Sequence, residues 1–186
     1  MSEADLILWT APKHSGKTTA ALALAEAARA RGFAVVGLAA PSVWRDGRLV
    51  GFDGVDLRTA RRAVLARRDA DGPRVGSFAF TAGGLALGAE ALAPPAGEAD
   101  LVIVDEFGPL ELSGGGWRGQ VEALRASTGA VLLLVVRTEI LAPVRNLYPS
   151  GEVLGATDGE AVERVLAVLA PRRADRGSGE PPTPVP

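Results

Sequence analysis

Three consecutive stretches near the amino end constrain the fold of this chain more than any other part. They are the apolar run DLILWTA (residues 5–11), the polar loop APKHSGKT that starts on its last residue, and the alanine- and leucine-rich segment Ala20 to Arg31. An apolar run bounded by turn residues reads as a buried strand, and the alanine-rich segment reads as a helix stopped by Gly32. FAVVGLAA (33–40) follows as a second buried strand. A strand, loop, helix and strand within so short a span impose parallel pairing, because the crossover helix returns the chain in the same direction. The class is therefore α/β, with a mostly parallel central sheet between helices.

The rest of the chain extends this plan. LVIV (101–104) within DLVIVDE (100–106) and AVLLLVVR (130–137) are continuous apolar runs, as expected of strands covered on both faces. GEVLGA (151–156) reads as a last short strand, and Gly83 to Leu92 as a helix ended by Pro94 and Pro95. GGGWRGQVEALRAS (114–127) starts loose and becomes helical. Thr157 and Glu160 form a capping box for a helix reaching about Ala170. Residues 41–80 differ in texture: SVWRDGRLVGFDGVDL alternates in patches, with an Asp46-Gly47 hairpin signal, and RRAVLARR and RVGSFAF read as further short strands. We expect one domain over residues 1–170 with an antiparallel insertion at about 41–80, and a disordered tail over 171–186, which is rich in proline, glycine and charge.

Composition narrows the chemistry. Twenty basic and 22 acidic residues give a net charge of −2, so no strong field attracts nucleic acid. The absence of cysteine removes disulfides, thiolate catalysis and cysteine-held zinc, and suits the cytoplasm. The opening MSEAD is acidic where a secretory signal is basic, and LILW is too short for a membrane span. A single histidine, His14, leaves carboxylates, hydroxyls, arginines and backbone amides as the main tools, a set suited to phosphate chemistry.

Lys13 and Lys17 are the only lysines among the 20 basic residues, and both lie in the loop. From Ala11 the loop gives A-P-K-H-S-G-K-T, a phosphate-binding pattern with alanine in the place of the first glycine. Gly16 lets the chain curl with its amides inward, and Lys17 presents a slim ammonium to terminal phosphate oxygens. Thr18 offers a hydroxyl to Mg²⁺, and the helix that follows adds its positive dipole end. We assign nucleotide contact to Ala11, Lys13, His14, Ser15, Gly16, Lys17, Thr18 and Thr19; the His14 side chain itself reads as solvated rather than as a base. LVIV delivers Asp105 and Glu106 to the carboxyl edge of the sheet, the edge from which the loop emerges. Asp105 is expected to act on Mg²⁺ through a bound water, and Glu106 to deprotonate a water attacking a γ-phosphate. Arg137, at the end of AVLLLVV, is a candidate for stabilising transition-state charge, as are Arg45, Arg61 and Arg62 from the insertion. Trp9, Trp44 and Trp117 read as packing residues.

These blocks together resemble the P-loop nucleoside-triphosphatase family that includes the thermophilic nucleoside-triphosphatases and the cancer-related nucleoside triphosphatase. The resemblance rests on SGKTT, VGFDGVDL (50–57), RVGSF (74–78) and above all VIVDEFGPLEL (102–112), and spans about residues 5 to 170. It implies a three-layer, RecA-like fold with a small antiparallel insertion, and slow, Mg²⁺-dependent hydrolysis of several nucleoside triphosphates such as ATP and GTP. It carries the family's loop lysine and threonine onto Lys17 and Thr18, and its acidic pair onto Asp105 and Glu106. The chain departs from the pattern at Ala11, where glycine is usual, and at Ser77, where a basic residue is usual. Its loop also looks like that of molybdopterin-guanine-dinucleotide accessory proteins. Two other readings use the same loop: a kinase for a nucleotide or small metabolite, and a nucleotide-gated accessory module with a protein partner in cofactor assembly.

Overall fold

The computed structural model describes residues 5–93, 99–127 and 129–177. In chain order the strands are β1 (Leu6–Ala11), β2 (Val35–Ala39), β3 (Ser42–Arg45), β4 (Arg48–Asp56), β5 (Arg62–Arg67), β6 (Arg74–Val75), β7 (Phe78–Phe80), β8 (Leu101–Val104), β9 (Val131–Arg137) and β10 (Glu152–Gly155). The helices are α1 (Lys17–Ala30), α2 (Ala82–Ala91), α3 (Pro109–Leu112), α4 (Arg118–Ser127), α5 (Leu141–Leu147) and α6 (Ala161–Gly177). One sheet runs β10-β1-β9-β8-β2-β4-β5-β7-β6, with β3 paired to β4. The first five strands of that order are parallel, and β3 to β7 form the antiparallel flank.

Period-2 geometry explains the continuous apolar runs. Leu101 and Ile103 of β8, with Val131, Leu133 and Val135 of β9, pack with Leu24 of α1 and Leu169 of α6. Their alternates Val102, Val104, Leu132, Leu134 and Val136 point to the other face, among Leu92, Val121, Leu124 and Val144. Neither face of these strands meets water, so neither position tolerates a polar side chain. Each such buried aliphatic side chain stabilises the fold by about 1.5–3 kcal/mol. Gly37 carries a different constraint: its φ is +118°, and a Cβ there would lie 2.1 Å from the Ile103 carbonyl oxygen on the neighbouring strand. The Asp46-Gly47 turn joins β3 to β4 with both φ angles positive, as a tight hairpin requires. Thr81 caps α2 by accepting from the Gly84 amide at 2.9 Å.

Several boundaries differ from the sequence reading. Helix α1 starts at Lys17, three residues before Ala20, because Gly16 in a left-handed conformation turns the loop directly into the helix. Helix α6 starts at Ala161, so Thr157 and Glu160 precede it and do not form the expected box at its first turn. It also runs through Pro171 to Gly177, into the stretch read as tail. Helix-favouring alanine and arginine neighbours accompany the proline there, so loss of one backbone donor does not end the helix. The remaining tail residues, the opening MSEA, and Pro94 and Pro95 lie outside the described residues. Short α3 and α5, and the 3₁₀ turn Thr138–Ile140 before α5, had no counterpart in the sequence reading.

Candidate active site

The strand order sets the site. β9 separates β1 from β8, which puts the loop after β1 and the acids after β8 about 10 Å apart across one intervening strand. Arg137 is the last residue of that strand and pairs in register with Ala11. It therefore emerges between loop and acids, and its Nη2 donates to Glu106 Oε2 at 2.8 Å.

The loop is held by its own polar atoms. The Pro12 carbonyl accepts from Ser15 Oγ at 2.6 Å and from Lys17 Nζ at 2.8 Å. Lys17 is 8% exposed, and its pKa is lowered, first by burial and then by Arg137, against the opposing pull of Glu106 and Asp105. Gly16 has φ +88° with open space where a Cβ would stand, so the conformation demands glycine there, not the packing. Ala11 lies within β1 with ordinary strand pairing to Arg137, so the alanine that replaces the usual glycine causes no backbone strain. The Lys13 amide donates to Glu139 Oε1 at 3.4 Å.

Opposite the loop, Asp105 is fully buried. Its Oδ2 accepts from the Ala40 amide and its Oδ1 from the Glu106 amide, each at 2.9 Å, and the nearby Thr18 hydroxyl favours its ionised form. Burial, then the neighbouring Glu106 charge, raises its pKa to about 6. Glu106 is one of four non-glycine residues with positive φ among the described residues, at 60°, and His14, which also lines the cleft, is another at 61°. Such backbone strain costs about 1–3 kcal/mol per residue and concentrates where side chains must be aimed.

A cleft of about 300 Å³ unites these groups: Lys13, His14, Gly16, Lys17, Thr18, Thr19, Glu106 and Arg137 line it. Asp105 reaches it through Thr18, while Ala11 and Ser15 support the loop from behind. Arg45, Arg61 and Arg62 do not line it; Arg61 pairs with Glu90 at 2.6 Å, on the far side of the insertion. Trp9 and Trp117 are buried as expected, but Trp44 is 54% exposed and lines the cleft with Pro41, Phe52 and Leu22. Packing was the wrong reading for Trp44, because β3 borders only β4 and has no layer covering it. The sequence reading also missed Glu139, although it follows β9 at the same sheet edge that identified Asp105 and Glu106.

A profile of the family described as NTPase matches residues 6–157. The chain belongs to this family. The chain is 37% identical over 115 residues to the protein named nucleoside-triphosphatase THEP1 from Methanopyrus kandleri, an alignment covering 62% of each chain. It is 40% identical over 103 residues to the protein of that name from Ignicoccus hospitalis, covering 55% of this chain and 58% of that one. With the Methanothermobacter thermautotrophicus protein of that name identity is 32% over 141 residues, covering 75% of this chain and 80% of the relative. The chain thus aligns with under two thirds of the first two relatives' length. In structure it is similar to a human cancer-related nucleoside triphosphatase solved in solution, with a TM-score of 0.65, 22% identity and coverage of 96% of this chain and all of the other. That likeness establishes the shared α/β fold.

Proposed function

We propose that this chain hydrolyses nucleoside 5′-triphosphates to diphosphate and phosphate, with Mg²⁺, slowly and with little base discrimination. The observation that carries this reading is that Lys17, Glu106 and Arg137 line one cleft, the loop after β1 and Glu106 after β8 being separated by the single strand that ends in Arg137. Triphosphate seated on the loop draws Lys17 Nζ from the Pro12 carbonyl to its terminal oxygens. Glu106 orients a water and takes its proton as the water oxygen bonds to the γ-phosphorus and the bridging P–O bond to the diphosphate breaks. Arg137, released from Glu106, meets the equatorial oxygens where charge develops.

The residues suit Mg²⁺. Among the described residues no cluster of three or more acidic or histidine side chains could hold a metal, so an ion would take most of its ligands from phosphate and water. Thr18 would hold it directly and Asp105 through water, since both Asp105 oxygens already accept backbone amides. A buried carboxylate raised to about 6 is also a group whose ionised form a nearby divalent cation stabilises. When bound, Mg²⁺ neutralises charge on the β- and γ-phosphate oxygens.

The Arg137–Glu106 pair must open before either group acts, and this supports slow turnover. Opening a partly exposed pair costs on the order of 1 kcal/mol, or about fivefold in rate. Broad base acceptance is supported by Trp44, Phe52 and Pro41, which offer flat and apolar contact that suits any base. A cytoplasmic location belongs to this reading, and a cysteine-free chain is compatible with it. No helix among the described residues is long and apolar enough to cross a membrane. The test is phosphate release from ATP, GTP, CTP and UTP with Mg²⁺ or EDTA and no acceptor. Release from all four, abolished by EDTA, supports the reading; binding without release overturns it and leaves the kinase and the nucleotide-gated module.

A further inference from the structure

Behind the Glu106–Arg137 pair lies a second cavity of about 200 Å³, between the antiparallel flank and the segment 108–111. It shares Lys13, Phe52, Glu106 and Arg137 with the nucleotide cleft, so those side chains form a party wall between two chambers. Direct hydrolysis needs only a water there, yet this chamber has room for about seven waters by liquid volume. Its far walls are apolar: Leu65, Val75, Phe78, Phe80 and Leu110. Phe78 stands edge-to-face with Phe52 at 5.4 Å between ring centroids, and the Arg68 guanidinium carbon lies 4.8 Å from the centroid of the Phe78 ring.

We propose that this cavity binds a small uncharged, ring-bearing alcohol, to which the γ-phosphoryl group is transferred in competition with water. The inference rests on the hydrolytic reading of the same site and adds a second nucleophile to it. The charge of the acceptor follows from the lining. The cavity's cations are Lys13 and Arg137, both on the shared wall and both facing nucleotide phosphate, so none remains for an anionic acceptor such as a nucleoside monophosphate. Its carboxylates are also committed: Glu106, freed from Arg137 by the nucleotide, takes the proton of the attacking hydroxyl, and Glu111 accepts the Gly108 amide at 2.8 Å and the Trp117 amide at 3.2 Å. A cationic acceptor therefore finds no free partner. Size follows from the volume, which lies below the roughly 300–1,000 Å³ of drug-sized sites and fits a single substituted ring. In the transfer the alcohol oxygen bonds to the γ-phosphorus as the bridging P–O bond breaks. The diphosphate leaves, and the hydroxyl proton passes to the Glu106 carboxylate.

The test incubates the full chain with Mg²⁺ and ATP in the presence of millimolar benzyl alcohol, 2-phenylethanol or, as an aliphatic control, ethanol. Phosphate ester and free phosphate are resolved by ³¹P NMR. Ester from the ring-bearing alcohols, saturable and at least tenfold above that from ethanol, is the expected result. Val75→Trp, which fills the cavity from β6, should lower the ester-to-phosphate ratio about tenfold; because this is a ratio per turnover, partial loss of folded protein does not move it. Free phosphate with no ester overturns the acceptor site and leaves hydrolysis standing, whereas neither product overturns both. Ester formation unaffected by Val75→Trp, or an alcohol that competes with ATP, also overturns it, since either places the alcohol elsewhere.

Discussion

Lys17→Met separates the folding role of the loop from its binding role, because the two effects should differ greatly in size. In the free protein Lys17 is 8% exposed, and its ammonium makes one hydrogen bond, 2.8 Å to the Pro12 carbonyl. Losing that bond costs about 0.5–1.5 kcal/mol. Burial of the charge opposes this: the lowered pKa means that holding Lys17 ionised destabilises the fold at neutral pH, and the uncharged methionine relieves that penalty. Pro12 keeps its bond from Ser15, so no acceptor is orphaned. The net change should stay within about 1 kcal/mol, or roughly 2–4 °C in Tm for a domain of this size. Binding behaves otherwise. Removing one partner of a desolvated charge pair costs about 2–5 kcal/mol, which is roughly 30- to several-thousand-fold in Kd for a triphosphate analogue. Differential scanning fluorimetry without nucleotide and calorimetric titration with a non-hydrolysable analogue measure the two. A variant that melts more than about 10 °C lower, or one that binds within threefold of the parent, refutes the assignment.

Asp105 predicts a pH dependence. Its pKa is raised from 3.8 to about 6, so its contribution to the stability of the free protein is fully present below about pH 4 and lost as pH rises through about 6. Mg²⁺ favours the ionised form, so the rise in Tm given by MgADP over ADP should grow between about pH 5 and 7; an increment that is flat with pH contradicts the metal role. Trp44→Ala should raise KM for all four triphosphates by a similar factor, about 5- to 150-fold for a lost stack of about 1–3 kcal/mol, with kcat within about twofold. Loss of affinity for one base alone would argue against stacking. Gly37→Ala drives a methyl group against the Ile103 carbonyl at a positive φ, and a Tm drop of roughly 6–12 °C should follow from a cost on the order of 3 kcal/mol; an unchanged Tm would mean that β2 and β8 are not packed as described.

Much of the site was legible because its parts are local. The loop announces itself through Gly16, Lys17 and Thr18 between an apolar run and a helix, and Asp105 and Glu106 through polarity that begins where LVIV ends. What sequence could not supply was lateral order in the sheet. Insertion of β9 between β1 and β8 is a long-range pairing, and it alone decides that Arg137 meets Glu106 while Arg45, Arg61 and Arg62 stay outside. Trp44 was misread for a related reason: tryptophan usually signals burial, but its exposure depends on whether anything covers β3. The left-handed conformation of Glu106 carries no sequence mark, since glutamate shows no preference for it. The short helices α3 and α5 escaped because they span one or two turns, too few for a period of 3.6 residues to register.

The central claim is that one cleft both grips the triphosphate through Lys17 and activates water through Glu106. Single-turnover phosphate release by Glu106→Gln, measured beside its affinity for a non-hydrolysable triphosphate, tests it most directly. The account predicts affinity within a few-fold of the parent and a release rate lower by about 10² to 10⁴, the range of a lost general base. Release at the parental rate with unchanged affinity would contradict it.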